Sequence, residues 1–252
     1  MKSVHIDRSK RLKDEPDTGH NRWHPDIEPI LEVDVDEEVV LETRDAADGQ
    51  INPQMGPNDL AGLDATVAHP LTGPVYINGA EPGDLLEIEY LDIVPEPYGW
   101  TRFRPGSGFL RDYFLEPYLV HWTIANEWAT SESLPGVRIF NGSFMGTAGI
   151  APSHDQMVKW SARELDLVKR GGIAHLPDPQ DAVPGGYISE EGLRTLPPRE
   201  NCGNVDAKQL TKGSKLFIPV NVDGGLYSVG DGHFAQGDSE CCITAIDMGS
   251  TG

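Results

Sequence analysis

The chain has 252 residues, with 40 acidic against 20 basic side chains and a formal net charge of −20. That balance argues against a nucleic-acid partner, whose footprint is a basic patch. Its longest apolar runs, such as 216–220, fall far short of the roughly 20 residues that cross a bilayer, which argues against a membrane protein.

The first residues, Met1 to Arg8, lack the apolar stretch of a secretory leader, so a cytoplasmic location is the expectation. Cys202, Cys241 and Cys242 make neither a disulfide framework nor a CxxC metal knuckle. The 28 glycines and 20 prolines exceed the usual share, without low-complexity runs, and point to many turns joining short strands. The expected fold is α+β, predominantly β, with sandwich-like antiparallel sheets and few helices.

Residues 1–26 read as a polar N-terminal arm, and 27–252 as a single β-rich domain. The arm carries Thr18-Gly-His-Asn-Arg-Trp-His24, a composition that suits a substrate mouth or a subunit interface as well as an ordinary packed arm. Three segments then share a layout of charged or glycine-bearing turn followed by strand: 35–43, 81–90 and 211–220. In the second, Leu86, Ile88 and Tyr90 alternate with Glu87 and Glu89, as a half-buried strand requires. The shared layout fits an internal duplication and fits equally the turn chemistry of any hairpin-rich protein.

One helix announces itself. Ser153-His-Asp-Gln156 has the form of a capping box, Val158, Ala162, Leu165 and Val168 form an apolar stripe, and Gly171-Gly172 supplies the stop. Residues 178–198 read as a Pro/Gly-rich loop with a short helix near 189–193, and 226–229 and 241–246 as strands.

The densest polar constellation runs from Ser228 to Glu240. In extended backbone Asp231 and His233 point the same way, and Gly237 allows Glu240 to fold back toward them. Carboxylate, imidazole and carboxylate together suit Zn²⁺ or another divalent ion, though an acidic solvated hairpin has the same composition, and the HExxH signature is absent. Asn201, Asn204 and Asp206 crowd a second loop, as ligands or, by preference, as Asx turns. Asp45 ends a strand, as a further carboxylate or merely a cap. No GxSxG elbow and no glycine-rich phosphate cradle occurs, and Cys202 lies near Glu200 and Asp206, which would raise its thiol pKa.

Taken together, several stretches resemble the acetamidase/formamidase family, more closely its formamidase branch. They are His20-Asn-Arg-Trp-His-Pro-Asp-Ile27, Glu42-Thr-Arg-Asp-Ala46, His69-Pro-Leu-Thr-Gly-Pro-Val-Tyr-Ile77, Phe109-Leu-Arg-Asp112 and Phe144-Met-Gly-Thr-Ala-Gly-Ile-Ala-Pro-Ser153. Pro197-Pro-Arg-Glu200, Gly203-Asn-Val-Asp206 and Val229-Gly-Asp-Gly-His-Phe-Ala-Gln-Gly-Asp238 complete the set, in family order. The resemblance implies metal-dependent hydrolysis of a short aliphatic amide, formamide or acetamide, to carboxylate and ammonia by a homo-oligomer. A lactam or carbamate substrate is a weaker variant. It implies a divalent metal, Zn²⁺ first and Ca²⁺ second, with Asp45, Asp206, Asp231 and His233 as expected ligands. Glu240 is the expected general base and then acid, and Asn204, Phe144 and Met145 the expected substrate contacts, with Trp100 and Phe103 near the pocket wall. The family usually carries glycine where Cys202 and Ser239 stand. Family chains also continue well beyond the Ile246-Asp-Met248 point, so a C-terminal truncation is expected, with a non-catalytic β module as the alternative.

Overall fold

The computed structural model describes residues 1–251. Those residues are mostly β, with one long helix, His154–Lys169, and one short one, Tyr187–Glu191. An 11-stranded sheet dominates, beside a four-stranded sheet and two two-stranded ribbons. The pairing is largely antiparallel, as expected. The exceptions are Lys2–Val4 against Val39–Thr43 and Leu31–Val33 against Leu71–Ile77, which run parallel.

The spine of the large sheet is Tyr227–His233, buried along its whole length. One edge of it meets Phe144–Gly149; the other meets Leu71–Ile77 through its first half and Asp247–Met248 through its last two residues. Asp247–Met248 in turn joins Tyr98–Phe103. The end of the spine is thus enclosed by strands from three distant parts of the chain. The largest apolar core, with Val75, Met145, Ile150, Ile218, Tyr227 and Val229, lies along this spine.

The first 26 residues are woven into the body. Gly19–His20 pairs with Leu71 and Thr72, and Arg22–Trp23 pairs with Leu193–Arg194. The three look-alike segments become the strands Val39–Thr43, Leu85–Glu89 and Lys215–Pro219, of which the last two pair with each other. The expected alternation holds there: Leu86, Ile88 and Tyr90 face inward while Glu87 and Glu89 meet Lys215 at the surface.

The capping box forms as read. The Gln156 N–H donates to Ser153 Oγ at 3.3 Å, and the Ser153 N–H to Gln156 Oε1 at 2.8 Å. The buried face is nevertheless a different one. Met157, Trp160 and Glu164 point into the body, while Val158, Ala162, Leu165 and Val168 are exposed. On that face Met157 and Trp160 pack with Trp23, Leu71 and Leu193, and the Arg199 guanidinium binds the Glu164 carboxylate at 2.6 and 3.0 Å, both groups buried. Two large apolar side chains and a paired acid on one face outweigh a stripe of smaller aliphatic residues on the other. Residues 241–246 also depart from expectation. They form turns, not a strand, with Ile243 at φ 59°.

Candidate metal and catalytic centre

At the end of the spine strand, His233 lies directly opposite Phe144 on one neighbour and Asp247 on the other. Opposed residues share a face, so the imidazole stands between a phenyl ring, 5.0 Å away by centroids, and the Asp247 carboxylate, 3.6 Å from Nε2. Two residues earlier, Asp231 reaches the same ring, with Oδ1 3.3 Å from His233 Nε2. Its φ of 54° departs from strand geometry at the point where the chain reaches the cluster. The following turn returns Glu240 to within 3.8 Å of His233 Nε2, with Ser239 and Glu240 at φ 63° and 46°. Asp206 comes from another loop. Its N–H and that of Val205 both donate to the Gly146 carbonyl at 3.1 Å, which sets its carboxylate 3.8 Å from His233 Nδ1.

Asp206, Asp231, His233 and Glu240 are therefore brought together, as the sequence suggested. Asp45 is not. Its carboxylate accepts from the N–H groups of Ala47 and Gly49 at 2.8 and 3.0 Å, as an Asx cap does. It lines a separate cleft of about 280 Å³ with Tyr98, Trp100 and Met248, where burial lifts its pKa to about 7.

Three residues of the cluster escaped sequence reasoning. Asp247 is one. His69 is the second, with Nδ1 3.4 Å from Asp231 Oδ2. Thr147 is the third, its hydroxyl 3.2 Å from Asp231 Oδ2 and 3.2 Å from Asn204 Oδ1. His69 and Thr147 lie in stretches that carry the family resemblance, yet no local spacing links positions so far apart.

The expected substrate contacts need correction. Met145 follows Phe144 in a strand and so faces the other side, in the main apolar core with its sulfur 3.6 Å from Ser250 Oγ. Phe144 is fully buried and buttresses the His233 ring. Trp100 is buried as well. Asn204 uses its amide to hold Thr147 and the Leu196 carbonyl. Cys202 is half-buried, and burial raises its thiol pKa; the neighbouring acids are not the cause. Cys202 and Ser239, the two departures from family glycine, both have positive φ, the region where glycine carries no steric penalty.

Charge is concentrated and uncompensated here. Burial would raise the Asp231 carboxyl, but the His69 and His233 imidazoles beside it outweigh burial and hold it well below the usual range. For His233, burial is outweighed by Asp231 and Asp247, which raise its pKa. Asp206 is pushed up to about 7 and Glu240 to about 10, each by burial first and then by neighbouring carboxylates. Both ring nitrogens of His233 and Asp206 Oδ1 are buried without a hydrogen-bond partner. Such orphaned atoms are costly unless something binds them.

The surroundings fit a divalent cation. Asp206, His233 and Glu240, and likewise Asp231, His233 and Asp247, each bring ligand atoms within 4.8 Å of one another. Mixed imidazole and carboxylate donors suit an ion such as Zn²⁺. Gly146 leaves the necessary space: a Cβ there would sit 2.8 Å from Asp206 Oδ1, from the Asp231 carbonyl and from the His233 ring.

Residues 5–251 match the sequence profile of the acetamidase/formamidase family. The chain belongs to that family. It is 40% identical over 270 aligned positions to an acetamidase of Mycolicibacterium smegmatis, covering 97% of this chain and 66% of the relative. To a formamidase of Methylophilus methylotrophus it is 36% identical, covering 97% of this chain and 65% of the relative. Among solved structures, a gamma lactamase from Delftia acidovorans superposes with a TM-score of 0.95 at 35% identity, over 100% of this chain and 66% of that one. An acetamidase from Bacillus halodurans does so with a TM-score of 0.73 at 26% identity, over 93% and 66%. The chain thus spans about two thirds of the length of these relatives. No helix among the described residues is long and apolar enough to cross a membrane.

Proposed function

We propose that this chain carries the centre of a metal-dependent amidohydrolase that converts a short aliphatic amide and water to a carboxylate and ammonia. The observation that carries the reading is His233, buried with both ring nitrogens orphaned inside a shell of carboxylates. Asp206, Asp231, His233 and Asp247 would hold the ion, with Zn²⁺ favoured over Ca²⁺ by the imidazole donor. A bound divalent ion would supply polarisation of the amide carbonyl and a more acidic water, both of which help against an unactivated amide.

The chain's own residues supply the rest. Asp231 stays ionised because His69 and the Thr147 hydroxyl both address it. Phe144 holds the His233 ring edge-on and excludes water from that side. Glu240, on a turn rather than a strand, is the acid–base group: it takes a proton from the attacking water and delivers it to the departing nitrogen. In the metal-free protein its pKa is raised to about 10 by burial and the neighbouring carboxylates; the charge of a bound ion beside it would lower that value and leave it able to accept a proton before it gives one.

Ammonia release from formamide, acetamide and benzamide, with and without a chelator, tests the proposal. Formamide fastest, acetamide slower, benzamide untouched and all activity chelator-sensitive is the expected pattern. No ammonia from either short amide by the metal-loaded protein would end it. A cyclic amide is the second reading, supported by the TM-score of 0.95 to a gamma lactamase; a γ-lactam opened faster than formamide would favour it. The proposal includes a cytoplasmic homo-oligomer, supported by three free cysteines and the exposed apolar side chains Phe109, Tyr113 and Leu115. Light scattering on the eluting protein tests the assembly.

A further inference from the structure

Arg102 shares the sheet face of the carboxylate–imidazole cluster. His233 lies opposite Asp247, and Asp247 opposite Trp100, so these side chains emerge on one face across three neighbouring strands. Arg102 follows Trp100 by two residues in Tyr98–Phe103 and points the same way. Its guanidinium carbon lies 5.7 Å from the centroid of the Trp100 ring, and its backbone N–H donates to Thr244 Oγ1 at 3.1 Å. The backbone of Arg102 is thereby tied to the segment that follows Glu240, and its guanidinium lies over the Trp100 ring on the face that Asp247 shares.

Asp247, Glu240 and Asp231 all lie within electrostatic reach of this cation. Those carboxylates approach His233 instead, and among the described residues Arg102 closes no ion pair. Its Nε–H is buried without an acceptor. Arg199 shows what a buried guanidinium in this molecule does when an acid is available: it closes on Glu164 through two hydrogen bonds, at 2.6 and 3.0 Å. Arg102 has three acids nearby and closes on none. It is a planar fork left open, and the acceptor geometry that such a fork matches is a pair of oxygens on one carbon.

We propose that Arg102 is the substrate-binding residue that receives the acyl oxygen of the amide and, after hydrolysis, both oxygens of the small carboxylate product. The inference rests on the amide-hydrolysis reading for its substrate and on the Arg102 surroundings for its site. Beside four carboxylates a bound ion supplies one positive contact for an anionic product, and Arg102 supplies a second, on a different strand, that fixes how a one- or two-carbon acyl group lies.

Acetate is the probe. Calorimetric titration of acetate into the metal-loaded protein is compared for the native chain, Arg102→Gln and Arg102→Lys, with metal content and thermal unfolding measured on each. The expected result is acetate binding weakened roughly tenfold or more in Arg102→Gln and several-fold in Arg102→Lys, since a charged two-point contact is lost in the first and its fork in the second. Metal content should stay unchanged. Acetate affinity in Arg102→Gln equal to that of the native chain overturns the inference. Should the Gln variant not fold, an unchanged affinity in Arg102→Lys does so. A native chain that releases ammonia from no amide, yet loses acetate binding on Arg102→Gln, would sink the amidase reading and leave the Arg102 assignment standing.

Discussion

Histidines and acids gather at two places in this molecule, and the two clusters differ in what their nitrogens touch. Under the N-terminal segment, buried His24 and the exposed His154 and Glu191 bring ligand atoms within 4.8 Å of one another, as the groups around His233 do. There every polar atom of His24 has a partner. The Asp26 N–H donates to Nδ1 at 3.1 Å, so the proton resides on Nε2 and is donated to Glu191 at 2.9 Å. His154 and Tyr187 complete the set through the Asp26 carboxylate. Around His233 the same residue types are buried, and both ring nitrogens have no hydrogen bond. The His24 cluster is a finished network that ties the first residues to the two helices; the His233 cluster leaves both nitrogens of its central ring unsatisfied. Residue type does not separate them. Satisfaction of the donors does.

The sharpest way to break this contrast is to delete one imidazole from each cluster. His233→Ala should lose bound metal and all measurable amide hydrolysis, whereas His24→Ala should keep its full metal content by elemental analysis. Metal loss in both would remove the distinction. Next in size, Glu240→Gln keeps the shape of the turn but removes the proton carrier. Its turnover should fall by roughly 10²–10⁴ with metal retained, read as ammonia release under saturating amide.

Proton linkage gives a third test. In the metal-free protein, burial and neighbouring acids hold Glu240 at about 10, so it carries its proton at neutral pH. A cation bound beside it would lower that pKa, so metal binding should release protons at pH 7 and tighten as pH rises toward 10. The sign for folding is the reverse. A carboxyl with a raised folded pKa stabilises below its unfolded value near 4.3 and loses that contribution as pH climbs through about 10. Metal-free protein should therefore melt lower at pH 9 than at pH 7, and metal should narrow the gap. Calorimetry in buffers of different ionisation heat would reveal an absence of proton release.

Gly146→Ala is the fourth. The added methyl meets a backbone carbonyl and the His233 ring, so a loss of about 1–3 kcal/mol is expected, with weaker metal binding, by thermal unfolding with and without metal. The smallest effect belongs to the surface: His154→Ala, removing an exposed contact to Asp26, should change stability by no more than about 1 kcal/mol in denaturant titration.

Local rules carried the sequence a long way. The glycine and proline excess, the alternation in 81–90 and the Ser153 capping box concern neighbours within a few residues, and each is realised. Asp231, His233 and the returning Glu240 were legible for the same reason, since one strand end and one glycine-bearing turn bring them together. Family likeness added Asp206, which no spacing would have joined to them. What failed was decided at long range. Two faces of the helix His154–Lys169 competed, and the buried one is that whose Met157, Trp160 and Glu164 find distant partners, Trp23, Leu71 and Leu193 for the first two and Arg199 for the third. His69 and Thr147 meet Asp231, and Asp247 meets His233, only because three strands border the spine, and Asp45, equally well placed in its motif, is diverted to cap its own loop. Periodicity and spacing record which way a side chain points from its own strand. Which strands lie beside it depends on burying apolar surface across the whole chain, and that is settled only in the folded molecule.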